Sequence, residues 1–361
     1  MLRVFIVFSL IAFKLLTAQP VKPKNIIILI GDGMGINYVG ASLLLDKRSP
    51  FKEFKSIGLS ITCSADKLIT DSAAGATAIA TGYLTNNKYV SVDPNNKSLY
   101  TIFEHAEKLG LSKGIVVTSS VSHATPAAFI AHTNDRHDQN FIASQMVDQN
   151  IDVVIGGGLK YFLPQNLSGD RTDSLNLTDK LINKDYSLVR NYEELTKIPD
   201  SVKQLYAIFE MDGLPEALKR SYTLGDLTKS AINHLKYNET GFILLIEGSQ
   251  IDWAGHDHKS NELLAEMNDF SIALSEVISF AKSDGNTLVV VTSDHETGGM
   301  SITKGSSDAK DIELSYTTTG HTPSPVGIFA YGPGEEKFSG IMFINQIGRE
   351  LFYLLDNSIK F

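Results

Sequence analysis

The sequence predicts a doubly wound α/β fold, in which a mostly parallel sheet is covered by helices on both faces. Two observations lead to this prediction. Continuous apolar runs typical of buried strands recur along the chain, at residues 25–30, 114–118, 152–158, 241–248, 286–294 and 326–332. Amphipathic segments with helical spacing lie between runs, for example at residues 98–110 and 262–285. Strands that alternate with helices favour a parallel sheet.

The first element along the chain is a targeting segment. Residues 1–18 combine Arg3, an apolar stretch and a small residue at Ala18, which is typical of a cleaved signal peptide. A membrane anchor is the alternative, but the apolar stretch is short for a full span. We therefore expect an exported protein, periplasmic or secreted, with no stable membrane association after cleavage.

The remaining residues, 19–361, are predicted to form one domain, because no linker separates the apolar runs. Two polar stretches interrupt the alternation of strands and helices. Residues 163–225 are mixed in character and indicate an irregular or helical excursion. Residues 296–320 form a second, shorter polar insert.

Composition limits the classes of function. The chain has 361 residues, 43% of them apolar, so it can bury a large core. Its formal charge of −9 makes it a poor partner for nucleic acid. Cys63 is the only cysteine, which excludes intrachain disulfides and cysteine-rich zinc sites.

Polar side chains follow the apolar runs. Asp32 follows the first run, Glu247 ends another, and Asp294 with His295 ends a third. In open α/β sheets ligands bind outside the carboxyl ends of the strands, so we expect these residues in one crevice. Asp294 and His295 can face the same ion only if their strand has already ended.

Ligand chemistry sorts these residues into three cation sites. Carboxylates mixed with imidazoles suit zinc, and sites made only of oxygen atoms suit magnesium. Asp252 and His256 are four residues apart, so one helical turn would place them on the same face. The predicted sets are Asp252, His256 and His321 for one zinc, Asp32, Asp294 and His295 for a second zinc, and Asp32, Thr125 and Glu247 for magnesium.

Two further residues are candidates for phosphate chemistry. Ser72 begins a stretch of small residues that indicates a helix start, where backbone N–H groups favour anions. The Ala and Gly neighbours of Ser72 would allow a phosphate to approach closely. No G-x-S-x-G sequence surrounds it, so a metal would activate the hydroxyl in place of a general base. Arg136 could donate two hydrogen bonds to phosphate oxygens.

Taken together, these motifs resemble the alkaline phosphatase family, in particular compact bacterial periplasmic enzymes of cold-adapted marine bacteria. The resemblance is carried, in the family's order, by the strings "LIGDGMG", "TDSAAGATAIATG", "HATPAAFIAHTNDR", "EGSQIDWAGH", "TSDHETGG" and "GHT". It implies a catalytic domain over residues 19–361 that hydrolyses phosphate monoesters with two zinc ions and one magnesium ion. It also implies that Ser72 becomes phosphoserine, that Arg136 binds the phosphate, and that the three ligand sets are those given above.

The chain departs from the enteric bacterial pattern of this family at two positions. That pattern has Asp where this chain has His123, and Lys where it has Trp253. Both residues adjoin expected ligands, so we expect them to surround the metal sites rather than to bind the ions. In larger members of the family, the segment that corresponds to residues 296–320 grows into a crown over the active site and the dimer interface. This segment is short here, so a homodimer remains possible but would not depend on a large crown.

Two other functions are compatible with the sequence. One is a phosphodiesterase or sulfatase of the same superfamily. The sulfatase signature Cys/Ser-x-Pro-x-Arg is absent from "TDSAAGAT", and diesterases of this superfamily typically use threonine as the nucleophile. The other is a non-catalytic binder of metal or phosphate, which would not need the complete set of nucleophile, arginine and ligands.

Overall fold

A computed structural model describes residues 22–308 and 311–361. The predicted signal peptide, residues 1–18, lies outside the described residues. Fourteen strands are found in the described part of the chain: β1 Asn25–Gly31, β2 Ser56–Ile61, β3 Ser112–Ser120, β4 Val153–Gly157, β5 Ser187–Val189, β6 Leu205–Ile208, β7 Phe242–Gly248, β8 Thr287–Thr292, β9 Glu296–Thr297, β10 Ser301–Gly305, β11 Ile312–Ser315, β12 His321–Thr322, β13 Val326–Tyr331 and β14 Gly340–Phe343.

Eleven α-helices accompany these strands in the same part of the chain. They are α1 Ile36–Leu45, α2 Ser72–Thr81, α3 Ile102–Lys108, α4 Ala124–Ile130, α5 Gln139–Asp148, α6 Leu177–Asn183, α7 Tyr192–Leu195, α8 Leu224–Leu235, α9 Gln250–His256, α10 Ser260–Asp284 and α11 Ile344–Leu355. Within residues 22–308 and 311–361, no helix has the length and apolar composition needed to cross a membrane.

The core of the fold is one ten-stranded sheet with the order β14-β2-β13-β8-β1-β7-β3-β4-β6-β5. Its neighbouring strands pair in parallel except where β13 lies antiparallel to β2 and β8. The mostly parallel sheet predicted from the apolar runs is therefore confirmed, and each of the six runs overlaps a strand of this sheet.

The prediction for residues 163–225 was wrong in part. This segment contains helices α6 and α7, but it also adds β5 and β6 to one end of the sheet. These strands have only three and four residues. Runs this short carry no recognisable period of two, so the pairing of β6 with β4 and of β5 with β6 that makes them strands is invisible in the local sequence.

The two faces of the sheet bury two separate apolar clusters. Successive side chains of β1 point to opposite faces. Ile26, Ile28 and Ile30 accordingly join the cluster beneath α2, α3, α4, α5 and α11. Ile27 and Leu29 join the cluster beneath α1, α8, α9 and α10. Helices therefore cover both faces, as the sequence predicts for a doubly wound fold.

Local signals explain where the longer helices begin and end. A capping box between Thr101 and Glu104 starts α3, so the helix begins later than the amphipathic segment at 98–110. Helix α10 ends at Gly285, whose φ of 73° is a conformation that glycine adopts without strain. Helix α10 directly precedes β8 in the chain and covers almost all of the amphipathic segment predicted at residues 262–285.

Candidate active site

The register of the central strands brings the predicted ligands to one edge of the sheet. Ile30 pairs with Glu247 on β7 and with Thr292 on β8. Asp32 and Asp294 each follow that row by two residues, so both emerge at the carboxyl edge. Strand β8 ends at Thr292. The turn after it lets Asp294 and His295 face the same space, as the sequence analysis required.

Ser72 is the first residue of α2 and is almost fully buried. The side chain of Asp71, not that of Ser72, caps this helix by accepting the N–H of Ala74. The Ser72 hydroxyl is thereby left free of the capping role that a serine at a helix start often has. Its oxygen lies 3.2 Å from Nε2 of His295.

Gly75 allows α2 to approach the turn after β8. A Cβ atom at this position would lie 2.8 Å from the carbonyl oxygen of Asp294, closer than real Cβ contacts allow. The sequence analysis assigned the small residues of α2 to close approach of a phosphate. At Gly75 the close neighbour is instead the protein's own backbone, which brings Ser72 and Asp294 together.

The first group of ligand side chains consists of Asp252, His256 and His321, whose ligand atoms all lie within 4.8 Å of one another. Nε2 of His256 is 3.3 Å from Oδ2 of Asp252 and 3.2 Å from Nε2 of His321. Helix α9 supplies the first two residues at the predicted spacing of four. Strand β12 supplies His321, whose Nδ1 faces the carbonyl oxygen of Thr70 at 2.9 Å.

The charges in this group are tightly linked. The hydrogen bond to Asp252 raises the pKa of His256 to about 9. Burial alone would raise the pKa of Asp252, but its bond to His256 and the neighbouring imidazoles hold that pKa well below its usual range. A cation bound between these side chains would compete with the proton on His256, so cation binding here releases a proton.

The second group consists of Asp32, Asp294 and His295, all fully buried. Nε2 of His295 lies 3.4 Å from Oδ1 of Asp32 and 3.3 Å from Oδ2 of Asp294. Burial lowers the pKa of His295 to about 4, so its imidazole is neutral and can offer a lone pair. Ser72 lies directly beside this group.

The third group combines Asp32, Glu247 and His123. The sequence analysis placed His123 around the metal sites, but a ring nitrogen of this residue lies within 4.8 Å of a carboxylate oxygen of both Asp32 and Glu247. Burial, followed by the nearby charge of Arg136, lowers the pKa of His123 to about 3, which keeps it neutral. Thr125, the predicted hydroxyl ligand, is fully buried in α4 two residues after His123.

The buried carboxylates show that the residues fit a cation. Both carboxylate oxygens of Asp32 and Oδ2 of Asp294 are buried without any hydrogen-bond partner. Burial, and then the carboxylates of Asp294, Asp252 and Glu247, raise the pKa of Asp32 well above its usual value. Burial likewise raises the pKa of Glu247 to about 7. Buried carboxylates of this kind need a positive charge between them, and oxygen and imidazole donors are the ligands of magnesium and zinc.

Arg136 reaches the same crevice from the loop between α4 and α5. Its Nη1 donates to Oδ2 of Asp71 at 3.0 Å, and its Nη2 lies 3.5 Å from Nε2 of His123. The ring of His123 meets that of Trp253 edge to face at a centroid distance of 6.2 Å. The two residues that depart from the enteric pattern therefore pack against each other, and His123 lies next to the guanidinium.

Two residues of this site were missed by the sequence analysis. Asp71 orients Arg136, and it could have been recognised as the helix cap directly before Ser72. Thr297 donates through Oγ1 to Oδ1 of Asp252 at 2.5 Å and lies 3.3 Å from Nδ1 of His295. It belongs to the string "DHETGG", but no local pattern indicates that its hydroxyl connects two ligand groups.

Comparisons with known proteins point to one family. A family model described as alkaline phosphatase matches residues 23–313. Alkaline phosphatase 3 of Bacillus subtilis is 32% identical to this chain, over 93% of this chain and 90% of its own length. The structure of alkaline phosphatase from the Antarctic bacterium TAB5 superposes with a TM-score of 0.86 at 35% identity, covering 93% of this chain and 99% of that one. A histidine-to-aspartate mutant of the TAB5 enzyme, with magnesium bound in its M3 site, superposes with a TM-score of 0.85 at 33% identity over the same shares of the two chains.

Proposed function

The chain belongs to the alkaline phosphatase family and hydrolyses phosphate monoesters with zinc and magnesium, and on this basis we propose that Ser72 is its nucleophile. The observation that carries the proposal is the position of the Ser72 hydroxyl. Because the side chain of Asp71 caps helix α2, the Oγ atom of Ser72 is not needed for capping and is available to react. It lies at the start of α2 and 3.2 Å from a ligand nitrogen of His295.

The three ligand groups supply one site for each ion of the family. We assign the first zinc to Asp252, His256 and His321, and the second zinc to Asp32, Asp294 and His295. We assign magnesium to the carboxylates of the third group, Asp32 and Glu247, together with the buried hydroxyl of Thr125. When bound, these ions lower the pKa of the attacking hydroxyl and neutralise charge on the transferred phosphoryl group. Asp32 is shared by two groups, and its two unpartnered oxygens suit that role.

The protein's own side chains hold the substrate in line for displacement. Arg136 is anchored through Nη1 to Asp71, which leaves Nη2 for the phosphate oxygens. The Ser72 oxygen attacks phosphorus and loses its proton. A new O–P bond forms while the bond to the ester oxygen breaks, and the leaving alcohol takes up a proton. Water then attacks phosphoserine, which yields inorganic phosphate and restores the serine hydroxyl.

Trapping the intermediate tests this assignment. The wild-type enzyme is mixed with a ³²P-labelled aryl phosphate, quenched in acid and digested. The label is expected on the peptide that contains Ser72, and label on another residue would overturn the assignment. An aryl phosphate, a bis-aryl phosphodiester and an aryl sulfate are assayed in parallel. Faster turnover of the diester or the sulfate would favour the alternative functions instead.

The export of the protein is a second part of the proposal. We infer that residues 1–18 are a signal peptide, that residues 19–361 are the catalytic domain, and that the enzyme is periplasmic or secreted. The supporting observation is the pattern of Arg3, the apolar stretch and Ala18. N-terminal sequencing of the exported protein tests the inference. Nucleic acid is not expected as a partner, because the chain has a formal charge of −9.

We further propose a homodimer formed through the exposed end of the sheet. Ile57, Leu59, Ile341 and Phe343 lie on one face of β2 and β14 and are 50%, 36%, 73% and 48% exposed. A continuous apolar surface of this kind is typical of an interface. Light scattering should give twice the mass of the chain, and the double variant Leu59→Asp with Ile341→Asp should give a monomer that still binds zinc.

A further inference from the structure

The segment 316–321 serves the first ligand group twice. It ends in His321, which is itself one of the three side chains. The carbonyl oxygen of Thr319 lies 2.5 Å from Nδ1 of His256. An imidazole that donates its Nδ1–H to a carbonyl keeps the lone pair on Nε2, where a metal can bind. The position of the Thr319 carbonyl therefore sets both the tautomer and the orientation of His256.

Backbone hydrogen bonds hold this segment on one side only. The N–H groups of Thr317 and Thr318 donate to the carbonyl oxygen of Gly298 at 2.9 and 3.2 Å. The N–H of Gly298 donates in turn to the carbonyl of Gly320 at 2.9 Å. These bonds connect the segment to the turn after β9. None of them reaches helix α9, which carries Asp252 and His256; the turn after β9 is joined to that helix through the Thr297 hydroxyl and Asp252.

His258 connects the segment itself to the end of α9. Its Nε2 lies 2.8 Å from the carbonyl oxygen of Thr318. Its imidazole also lies flat against the ring of Tyr316, with the centroids 4.6 Å apart and the planes 9° from parallel. The hydroxyl of Tyr316 lies 3.3 Å from Oγ of Ser260 at the start of α10. His258 at the end of α9 and Ser260 at the start of α10 therefore both contact the segment through their side chains.

The backbone of this turn is unusual at His258. Its φ is +55°, in the left-handed region that only glycine enters without strain and that asparagine tolerates best among other residues. The N–H of Lys259 donates to the carbonyl of Ala254 at 3.0 Å and closes the end of the helix. His258 lies two residues after the ligand His256, and this backbone conformation directs its ring towards Tyr316.

We propose that His258 and Tyr316 are positioning residues for the first zinc: their stacked rings hold the Thr319 carbonyl against His256 and so determine how tightly this ion is bound. The proposal rests on the assignment of Asp252, His256 and His321 to zinc made above. Neither His258 nor Tyr316 belongs to any of the three ligand groups. Their effect passes through one backbone carbonyl to one imidazole.

Zinc affinity measures this effect directly. Full-length enzyme is freed of metal, reloaded, and titrated against a chromophoric zinc chelator. Tyr316→Leu and His258→Asn both remove the stack, and asparagine keeps a residue suited to the left-handed turn. Each is expected to weaken one of the zinc sites by about 10- to 100-fold, the usual effect of losing support for a ligating histidine. The other zinc site should keep its wild-type affinity.

A spectroscopic measurement and two matched variants separate positioning from general stability. Cobalt in the first site should show an altered d–d absorption in Tyr316→Leu, because the geometry of His256 changes. Tyr316→Phe keeps the ring and should restore both affinity and spectrum. Tyr192→Leu removes a comparable stacked pair with Tyr222, at 4.9 Å and 24°, away from the three ligand groups. It should leave zinc binding unchanged.

The outcomes distinguish failure of this proposal from failure of the site assignment. Wild-type zinc affinity in a folded Tyr316→Leu or His258→Asn variant would overturn the role of the stack. A Tyr316→Phe variant as weak as Tyr316→Leu would do the same. If His256→Ala also retained both zinc sites, the assignment of the first zinc itself would be wrong. If Tyr316→Leu does not fold, His258→Asn decides alone.

Discussion

The hydroxyl oxygen of Ser72 lies 3.2 Å from Nε2 of His295, although the two residues are 223 positions apart in the chain. The contact depends on Gly75, which lets α2 lie against the backbone of Asp294. Because burial lowers the pKa of His295 to about 4, the imidazole is a neutral donor of electrons near neutral pH. The proposed nucleophile and a proposed zinc ligand are thus in direct contact in the crevice.

Replacing Ser72 with alanine should lower kcat by several orders of magnitude. The substitution removes both the attacking oxygen and the covalent intermediate. Steady-state kinetics with an aryl phosphate measures the loss, and metal content by mass spectrometry serves as the control, since Ser72 belongs to none of the ligand groups. Wild-type turnover in a fully metal-loaded variant would contradict the assignment.

Arg136→Ala should raise KM and the inhibition constant for inorganic phosphate by about 10- to 100-fold, with a smaller effect on kcat. A hydrogen bond to a charged group contributes about 1.5–3 kcal/mol, and Arg136 binds the ground state as well as the transition state. Asp71→Asn should show a milder effect in the same direction, because it frees the guanidinium without removing it. Unchanged phosphate inhibition in Arg136→Ala would show that this residue does not bind the phosphate.

Removal of the metals should lower the Tm by about 10 °C or more. Each ion bound far above its dissociation constant adds roughly 3–4 kcal/mol to the free energy of unfolding. Without the ions, the carboxylates of Asp32, Glu247, Asp252 and Asp294 repel one another in a buried crevice. Calorimetry before and after treatment with EDTA measures the change, with metal removal verified. An unchanged melting curve would mean that the crevice needs no cation for its stability.

The double variant His123→Asp with Trp253→Lys should bind magnesium about tenfold more tightly and be inhibited more strongly by phosphate. An aspartate adds a carboxylate to the group formed by Asp32 and Glu247, and a lysine adds a cation beside Arg136. Each single variant introduces an unpaired charge and should perform worse than the pair. Magnesium titration of activity and of Tm measures both effects. If the double variant matches the wild type in both, the two rings only pack against each other.

The buried carboxyl of Glu266, which belongs to none of the ligand groups, should make the stability of the protein depend on pH. Burial raises the pKa of Glu266 to about 7 in the folded protein, compared with about 4.5 when exposed. The folded chain therefore keeps a proton that the unfolded chain has released, and the free energy of unfolding falls as pH rises between these values. Glutamine carries no charge at any pH. Glu266→Gln should thus gain up to about 3 kcal/mol relative to wild type between pH 4 and pH 8.

Urea unfolding at several pH values tests the prediction for Glu266. The metal-loaded enzyme is used throughout, and each variant is compared with wild type at the same pH, so that titration of the ligand groups cancels in the difference. Glu276→Gln, which changes a partly exposed carboxylate on the same helix, serves as the matched control. A difference between Glu266→Gln and wild type that stays constant with pH would show that Glu266 is ionised in the folded protein from low pH.

Much of the candidate site could be predicted from the sequence because its signals are local. Apolar runs mark the strands, and parallel strands end at one edge of a sheet, so polar residues just after those runs must converge. Asp32, Glu247 and Asp294 follow from this rule alone. The spacing of four between Asp252 and His256 follows from the period of a helix.

The tertiary structure alone decided which side chains meet across the crevice. Arg136 pairs with Asp71, 65 positions away, and a ring nitrogen of His123 joins Asp32 and Glu247. Local patterns fix the period of a segment and the face it buries, but not the partner that packing brings to a given atom. The same limit applies to β5 and β6, which are too short to show a period and become strands only because β6 pairs with β4 and β5 pairs with β6. Sequence thus determined the elements and the edge at which the chemistry lies, whereas packing between distant segments determined the contacts through which it acts.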